Sequence, residues 1–307
     1  MYKPKKNNFH KQKKGKHPLR KLSLQRSLTV CAFLIIPLIL LIVFTYLPLA
    51  DMIRYSFYRW DGYSAPKYTG IENYTTIFTR PQYFSVFKTS LYYLVGSLIQ
   101  IAIALYFATV FFYKLRLKNL FKGILFFPSL LNGVAIGFVF LYFFKQGGAL
   151  DSILIALGAS KESLPLWLGN VSLVNGSLTF ASVWRYMGQN MVMFSGAVQS
   201  IDDEYFEATE IDGANKWQQF KYIILPNIRP VLALNLILAI KGAISVYEIP
   251  FVMTKGGGGS MTFVIKTLQT AFTDKKIGLA SAMGVVLLII VMLITIIQKA
   301  LVERKEE

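Results

Sequence analysis

Residues 28–49 read LTVCAFLIIPLILLIVFTYLPL, 22 positions without one charged side chain. An α-helix rises about 1.5 Å per residue and the hydrocarbon core of a bilayer is about 30 Å thick, so roughly 20 apolar residues in succession are enough to cross it. This stretch is predicted to do so. Five further runs reach a similar length: residues 91–112, 123–144, 178–198, 230–250 and 279–297. Lipid offers nothing to hydrogen-bond with an exposed backbone, whereas a helix satisfies its own polar groups, so each run is predicted to be a spanning helix. A transmembrane barrel would instead show short alternating segments, and these are absent. The expected fold is an all-α integral membrane protein with six transmembrane helices. Composition agrees, with 54% hydrophobic and only 16% charged residues.

Charge sets the expected orientation. The net charge is +17, and residues 1–26 hold ten Lys and Arg side chains, from Lys3 to Arg26, with no acid. Such a tail could read as a nucleic-acid arm. A basic segment beside a first span more commonly holds that end in the cytoplasm, and no nucleic-acid partner is expected. Lys114, Arg116, Lys118 and Lys122 between the second and third runs, and Lys299, Arg304 and Lys305 at the far end, fit the same scheme. Both termini are therefore expected in the cytoplasm of a multi-pass plasma-membrane protein. Residues 1–26 form a basic tail, 27–303 the membrane domain and 304–307 a short cytoplasmic end. The first run exceeds a signal-peptide core and no A-x-A site follows it, so it is read as a retained helix. Cys31 is the single cysteine, which leaves no disulfide within the chain and no cysteine-rich metal site.

On this topology residues 51–86 and 145–173 are external. Tyr55, Phe57, Tyr58, Trp60 and Tyr63 border the first of these, as aromatic residues do at a membrane interface. In the second, Leu150, Ile153, Leu154 and Leu157 repeat as one apolar stripe, which predicts a short helix ended by Gly158. Residues 256–259 are four glycines in succession. No G-x-x-x-x-G-K-[ST] pattern accompanies them, so they are expected to be a flexible turn and not a phosphate-binding loop. Neither catalysis nor a cofactor is expected of this chain. If ATP drives it, another chain binds the ATP.

One inner segment departs from the charge trend. Residues 200–229 are long for such a loop and begin with six acids, Asp202, Asp203, Glu204, Glu207, Glu210 and Asp212. Ser200 with Asp203 three residues on suggests an N-terminal cap, and acids suit a first turn. Gly213 suggests a left-handed turn after one helix. Trp217, Phe220 and Ile224 are spaced as an apolar face on a second, which Pro226 is expected to stop. The prediction is two short helices joined by a glycine elbow.

At these residues the chain closely resembles the EAA loop of binding-protein-dependent ABC importer permeases. That signature runs E-A-A, three residues, G, nine residues, I-x-L-P. Glu207, Ala208, Gly213, Ile223, Leu225 and Pro226 match it in spacing, and Thr209 stands in place of the second alanine. Residues 184–226, 54–62 and 70–74, together with Thr254 before the glycine run, resemble the carbohydrate branch, whose examples include maltose and glycerol-phosphate importers. The resemblance implies a type I importer permease. It pairs with a second permease subunit, sits on an ATPase dimer and receives substrate from an extracellular binding protein. Glu207, Ala208, Asp212, Gly213, Ala214, Leu225 and Pro226 would form the ATPase-coupling contact. The expected cargo is a sugar or oligosaccharide. The alternatives are glycerol phosphate or another anionic solute and, more remotely, secondary transport without an ATPase.

Charges within the spans mark the other candidate site. Arg185 lies in the fourth run, and Lys241 and Glu248 in the fifth. Each costs at least about 2.5–3.5 kcal/mol at membrane depth and therefore needs a partner or a cavity. Read as one helix, Lys241 and Glu248 are two turns apart on one face, about 10 Å along the axis. Arg185 with Glu248 is the expected pair if the charges are structural. If they line a path, Trp184, Arg185, Gly188, Lys241, Tyr247 and Glu248 are the expected substrate contacts.

Overall fold

The computed structural model describes residues 19–113 and 117–303, with side chains for 29–113 and 117–300. Lys3 to Lys16, Lys114, Arg116 and residues 304–307 lie outside the described residues, and with them most of the basic tail. The described chain forms two units, one ending at Asp51 and the other beginning at Met52.

The first unit is helical. α1 (Leu19–Leu41) passes through a π-helical turn at Ile42–Tyr46 into α2 (Leu47–Tyr55). The widened turn has a local cause. Pro48 has no amide proton, and its ring would crowd the carbonyl four residues back. Leu47 instead donates to Ile42, one residue further than in an α-helix. Phe33 and Phe44 are 76% and 73% exposed, as befits a stretch apolar on every side.

The second unit takes in the end of α2 from Met52 and continues with a small antiparallel ribbon of β1 (Tyr58–Arg59) and β2 (Lys67–Tyr68), followed by α3 (Glu72–Thr79) and α4 (Pro81–Phe84). Asn73 ties the ribbon down by donating to the carbonyls of Ser56 and Tyr58 at 2.8 and 2.9 Å. Next come α5 (Phe87–Phe112), α6 (Lys118–Leu130), α7 (Gly133–Phe144) and α8 (Ala149–Ala156). α9 (Val174–Gln199) follows, then the short helices α10 (Asp203–Ile211), α11 (Lys216–Gln219) and α12 (Leu225–Asn227). The chain finishes with α13 (Arg229–Ile244), α14 (Glu248–Thr254), α15 (Phe263–Leu268) and α16 (Ile277–Glu303).

Among the described residues, five helical segments are long and apolar enough to cross a membrane: Thr29–Tyr55, Pro81–Phe112, Gly133–Ala156, Arg229–Thr254 and Ile277–Ala300. α9 has the length for a sixth, with 26 residues, but it carries Asn175, Thr179, Ser182, Arg185, Gln189 and Asn190. Its setting explains why. α9 packs against α5, α6, α7, α13 and α14, so most of these side chains are at least partly buried in protein, and Gln189, which is exposed, lines the cavity described below.

Two predicted spans are not single helices. Residues 123–144 break at Leu131 and Asn132, both extended. The Asn132 side chain accepts from the Val134 amide at 2.8 Å and starts α7 afresh. Residues 230–250 break at 245–247. A continuous helix would need the Pro250 amide to donate to Val246, and proline has none. The Thr262 hydroxyl donates to that carbonyl instead, at 3.0 Å. Lys241 and Glu248 therefore do not share a helix face. The stripe in 150–157 is α8, ended by Gly158 at φ +102°. The glycine run forms a turn, in which Gly256, Gly258 and Gly259 have positive φ and Asn175 donates to the Gly259 carbonyl at 3.1 Å.

Candidate coupling loop and membrane cavity

α10 and α11 are joined by the predicted elbow. Gly213 has φ +73°, its amide donates to Glu210, and the Ala214 amide donates to Thr209 at 2.9 Å. This is a Schellman ending, which a glycine accepts without strain. Asn215 and Gln218 then cap α11 reciprocally: the Asn215 side chain accepts from the Gln218 amide at 2.9 Å, and the Gln218 side chain from the Asn215 amide at 2.7 Å.

Three details differ from expectation. Ser200 closes α9, its hydroxyl donating to Ala197 at 2.7 Å, and it does not cap α10. Pro226 does not stop the second helix. It lies within α12, which turns at Ile228 into α13. A π-helical turn at Phe220–Ile224 precedes Pro226, and Leu225 donates back to Phe220, as Leu47 does to Ile42 before Pro48. That extra residue shifts the helical phase, so Trp217, Phe220 and Ile224 do not share one buried face. Ile224 is fully buried, Phe220 partly, and Trp217 is 69% exposed with its ring stacked on Phe220.

The inner side of the loop is fixed by packing. Phe206, Ile223, Ile224 and Ile228 join one buried cluster with Ile101, Ala104, Ala108 and Phe111 of α5 and Met191, Phe194 and Val198 of α9. The outer side is open. Glu207, Ala208, Asp212, Gly213 and Pro226 are exposed, and Ala214 and Leu225 are half-buried. Ile211 beside them is 87% exposed. Sequence reading missed Gln219 and Tyr113, which lie together under the elbow. The N-x-x-Q spacing of Asn215 and Gln218 was a readable cap signal, but nothing in the local pattern marked Gln219 as buried.

Higher in the bundle a cavity of about 500 Å³ lies between α5, α9, α13 and the break before α14. Tyr93 and Gln100 enter from α5, Asn190 from α9 and Asn235 from α13. Arg185, Tyr247 and Glu248 line it as well, whereas Trp184, Gly188 and Lys241 do not. Trp184 packs edge-on against Phe140 with centroids 5.3 Å apart. A Cβ at Gly188 would overlap the Leu125 carbonyl, so this glycine sets the close approach of α9 and α6. Lys241 is exposed near the end of α13.

Arg185 and Glu248 are paired, Nη1 to Oε2, at 2.6 Å. The Arg185 side chain is 11% exposed and that of Glu248 48%. The guanidinium also lies 4.7 Å from the Tyr186 ring centroid. A Cβ on Gly133 would overlap the ends of both charged side chains, so a larger first residue of α7 would displace the pair. The pair thus joins α9 to the start of α14 across the start of α7. Arg185 Nε, the Tyr93 hydroxyl and Thr179 Oγ1 are buried and without protein partners at this site.

A bundle of apolar helices around a cavity that several polar side chains enter, with an outwardly exposed elbow beyond it, defines a polytopic membrane permease. The family described as binding-protein-dependent transport system inner membrane component matches residues 100–307, and the chain belongs to it. It is an ABC transporter permease, not an enzyme. The chain is 29% identical over 271 residues to the probable ABC transporter permease protein YurN of Bacillus subtilis, covering 86% of this chain and 92% of that one. It is also 29% identical over 279 residues to the multiple sugar-binding transport system permease protein MsmF of Streptococcus mutans, covering 89% and 95%. Among solved structures, a bacterial ABC transporter for import of the acidic polysaccharide alginate has a chain of the same fold, with TM-score 0.81, 18% identity and coverage of 94% and 99%.

Proposed function

We propose that this chain is one of two dissimilar permease subunits of an ATP-driven importer for a sugar or oligosaccharide. The elbow at 203–227 carries the reading. Its inner side is locked to α5 and α9, and its outer side offers Glu207, Ala208, Asp212, Gly213, Ala214, Leu225 and Pro226 around the exposed Ile211. In the resembled permeases a cleft on an ATPase subunit receives this loop, and Ile211 would be covered there. The remaining components are a second permease, an ATPase dimer and an extracellular binding protein. Both termini and the loop 200–229 face the cytoplasm of the cell that carries this plasma-membrane complex.

The sugar assignment draws on relatives such as the Streptococcus mutans protein and on the chemistry of the cavity. Tyr93, Gln100, Asn190 and Asn235 present neutral donors and acceptors that suit hydroxyl groups. The anionic-cargo reading gains less, because the positive charge of Arg185 is opposed by Glu248 at 2.6 Å. On this reading Arg185, Tyr247 and Glu248 line the path, and Trp184, Gly188 and Lys241 act around it. The test is purification of the intact complex, identification of its ATPase and binding protein, and a ligand screen on the latter. An ATPase that co-purifies with wild type but not with Glu207→Ala, together with a sugar ligand, is the expected result. Uptake that survives ATP depletion but not collapse of the ion gradient would overturn the proposal.

A further inference from the structure

Gln219, the last residue of α11, is 1% exposed. Its Oε1 accepts from the Tyr113 hydroxyl and from Lys216 Nζ, each at 3.3 Å, and its Nε2 donates to Thr209 Oγ1 at 3.2 Å. The Thr209 hydroxyl in turn donates to the Phe206 carbonyl at 2.9 Å. Lys216 lies 4.6 Å from the Tyr113 ring centroid and pairs with Glu210 at 2.8 Å. Next to this group the rings of Phe112 and Phe206 are 4.7 Å apart. One buried amide thus joins three pieces of chain: the end of α5, the helix before the elbow and the helix after it. Burial raises the pKa of the Tyr113 phenol, with Glu210 adding to the shift and Lys216 opposing it, so the hydroxyl keeps its proton and donates.

Thr209 is the position at which the chain departs from the E-A-A signature. Alanine would leave one donor of a buried amide unpaired, and threonine supplies the acceptor. Tyr113, Gln219 and Thr209 therefore form one polar unit. We propose that Gln219 is a positioning residue that adds to the apolar packing of Phe206, Ile223 and Ile224 against α5 the directional bonds by which the elbow and the cytoplasmic-side end of α5 move as one body. α5 is a single helix of 26 residues, and its Tyr93 and Gln100 line the cavity. From Gln100 to Tyr113 it spans about 20 Å, so a shift taken up at Tyr113 is delivered to the cavity wall by a rigid rod.

This proposal rests on the transport reading above. Its test uses the whole complex in lipid with ATP and vanadate as the trapping probe, so it needs no identified sugar. Spin labels replace the exposed residues Lys221 of the loop and Tyr106 of α5 in a Cys31→Ser background. In the otherwise wild-type chain the label distance stays constant on trapping. In Gln219→Met it changes by about 2 Å or more, the scale of helix shifts in switching proteins. Gln219→Glu, which still accepts from Tyr113 and Lys216 but cannot donate to Thr209, gives a smaller change than Gln219→Met. Transport per ATP hydrolysed, measured once the screen has named a sugar, falls about fivefold or more in Gln219→Met. Tyr113→Phe combined with Thr209→Ala strips the bonds to α5 and to α10, leaves the one from Lys216, and gives a change in the same direction. A wild-type distance that changes on trapping, or variants that keep it constant, overturns the proposal. A wild-type preparation without any ATPase subunit overturns the transport reading and this inference with it.

Discussion

The Arg185–Glu248 pair makes an asymmetric prediction. Removing one partner of a fully buried pair costs about 3–5 kcal/mol, because a charge is left without compensation. Here the partners are unequally buried, at 11% and 48% side-chain exposure. Arg185→Met leaves a carboxylate that reaches solvent, and the cost should stay below about 1 kcal/mol, in the range of exposed pairs. Glu248→Ala strands a guanidinium whose Nε already has no hydrogen-bond partner. That cost should approach about 1–3 kcal/mol, less than the full figure because the site borders a cavity. The double variant should resemble Arg185→Met, since the stranded charge has gone. Thermal denaturation of the detergent-solubilised complex, with expression and insertion as controls, gives the order. Glu248→Ala should melt lowest, with Arg185→Met and the double variant close to each other. Equal destabilisation by both single changes, or a double variant at the sum of the two, would refute the reasoning and with it the view that Glu248 serves chiefly to balance Arg185.

Gly213→Ala places a side chain at φ +73° where space is open, so it should cost about 1 kcal/mol through backbone strain alone and weaken ATPase co-purification without loss of the inserted chain. Thr262→Val removes both the donor to the Val246 carbonyl and the cap that accepts from the Ile265 amide, and should destabilise by about 1–3 kcal/mol, seen as a lower melting temperature; an unchanged one would refute the account of that break. Asp61 accepts from the amides of Tyr63 and Ser64, which hold its pKa down to about 2 from 3.8. A depressed carboxylate stabilises the loop above its unfolded pKa and ceases to as pH falls through the folded one. Fluorescence of Trp60, which donates to Ser64, should therefore change between about pH 4 and pH 2 and lose that transition in Asp61→Asn.

What was legible in the sequence follows from the range over which each signal acts. Unbroken apolar runs such as 28–49 announce themselves because lipid imposes a length. The Gly213 elbow was readable because a left-handed turn selects its residue locally. The breaks at 131–132 and 245–247 were hidden inside apolar runs, since hydropathy does not register the hydrogen bond that Pro250 cannot make. Thr262, the residue that repairs that loss, is 16 positions from Val246. The pairing of Arg185 with Glu248 was foreseen as one option, but the reason it fits, a bare Cα at Gly133, depends on a third helix. Gln219 shows the limit most clearly. Its hydrogen-bond partner Tyr113 is 106 positions away, and between two lysines and an exposed tryptophan it reads as surface.

The placement of breaks divides the bundle into two kinds of element. α5 and α9, each of 26 residues, have no proline and run without interruption from the cavity to the cluster beneath the elbow. The pair α6 and α7 and the pair α13 and α14 are interrupted instead, and the second break itself lines the cavity. A continuous helix is stiff along its axis. A junction such as 245–247, held by the Thr262 hydroxyl and by Glu248 on Arg185, can change by exchanging a few hydrogen bonds. In the proposed importer this assigns α5 and α9 to carrying displacement from the elbow, and the interrupted helices to closing or opening around the cargo. The Arg185–Glu248 pair joins one helix of each kind, the uninterrupted α9 and α14 just after its break.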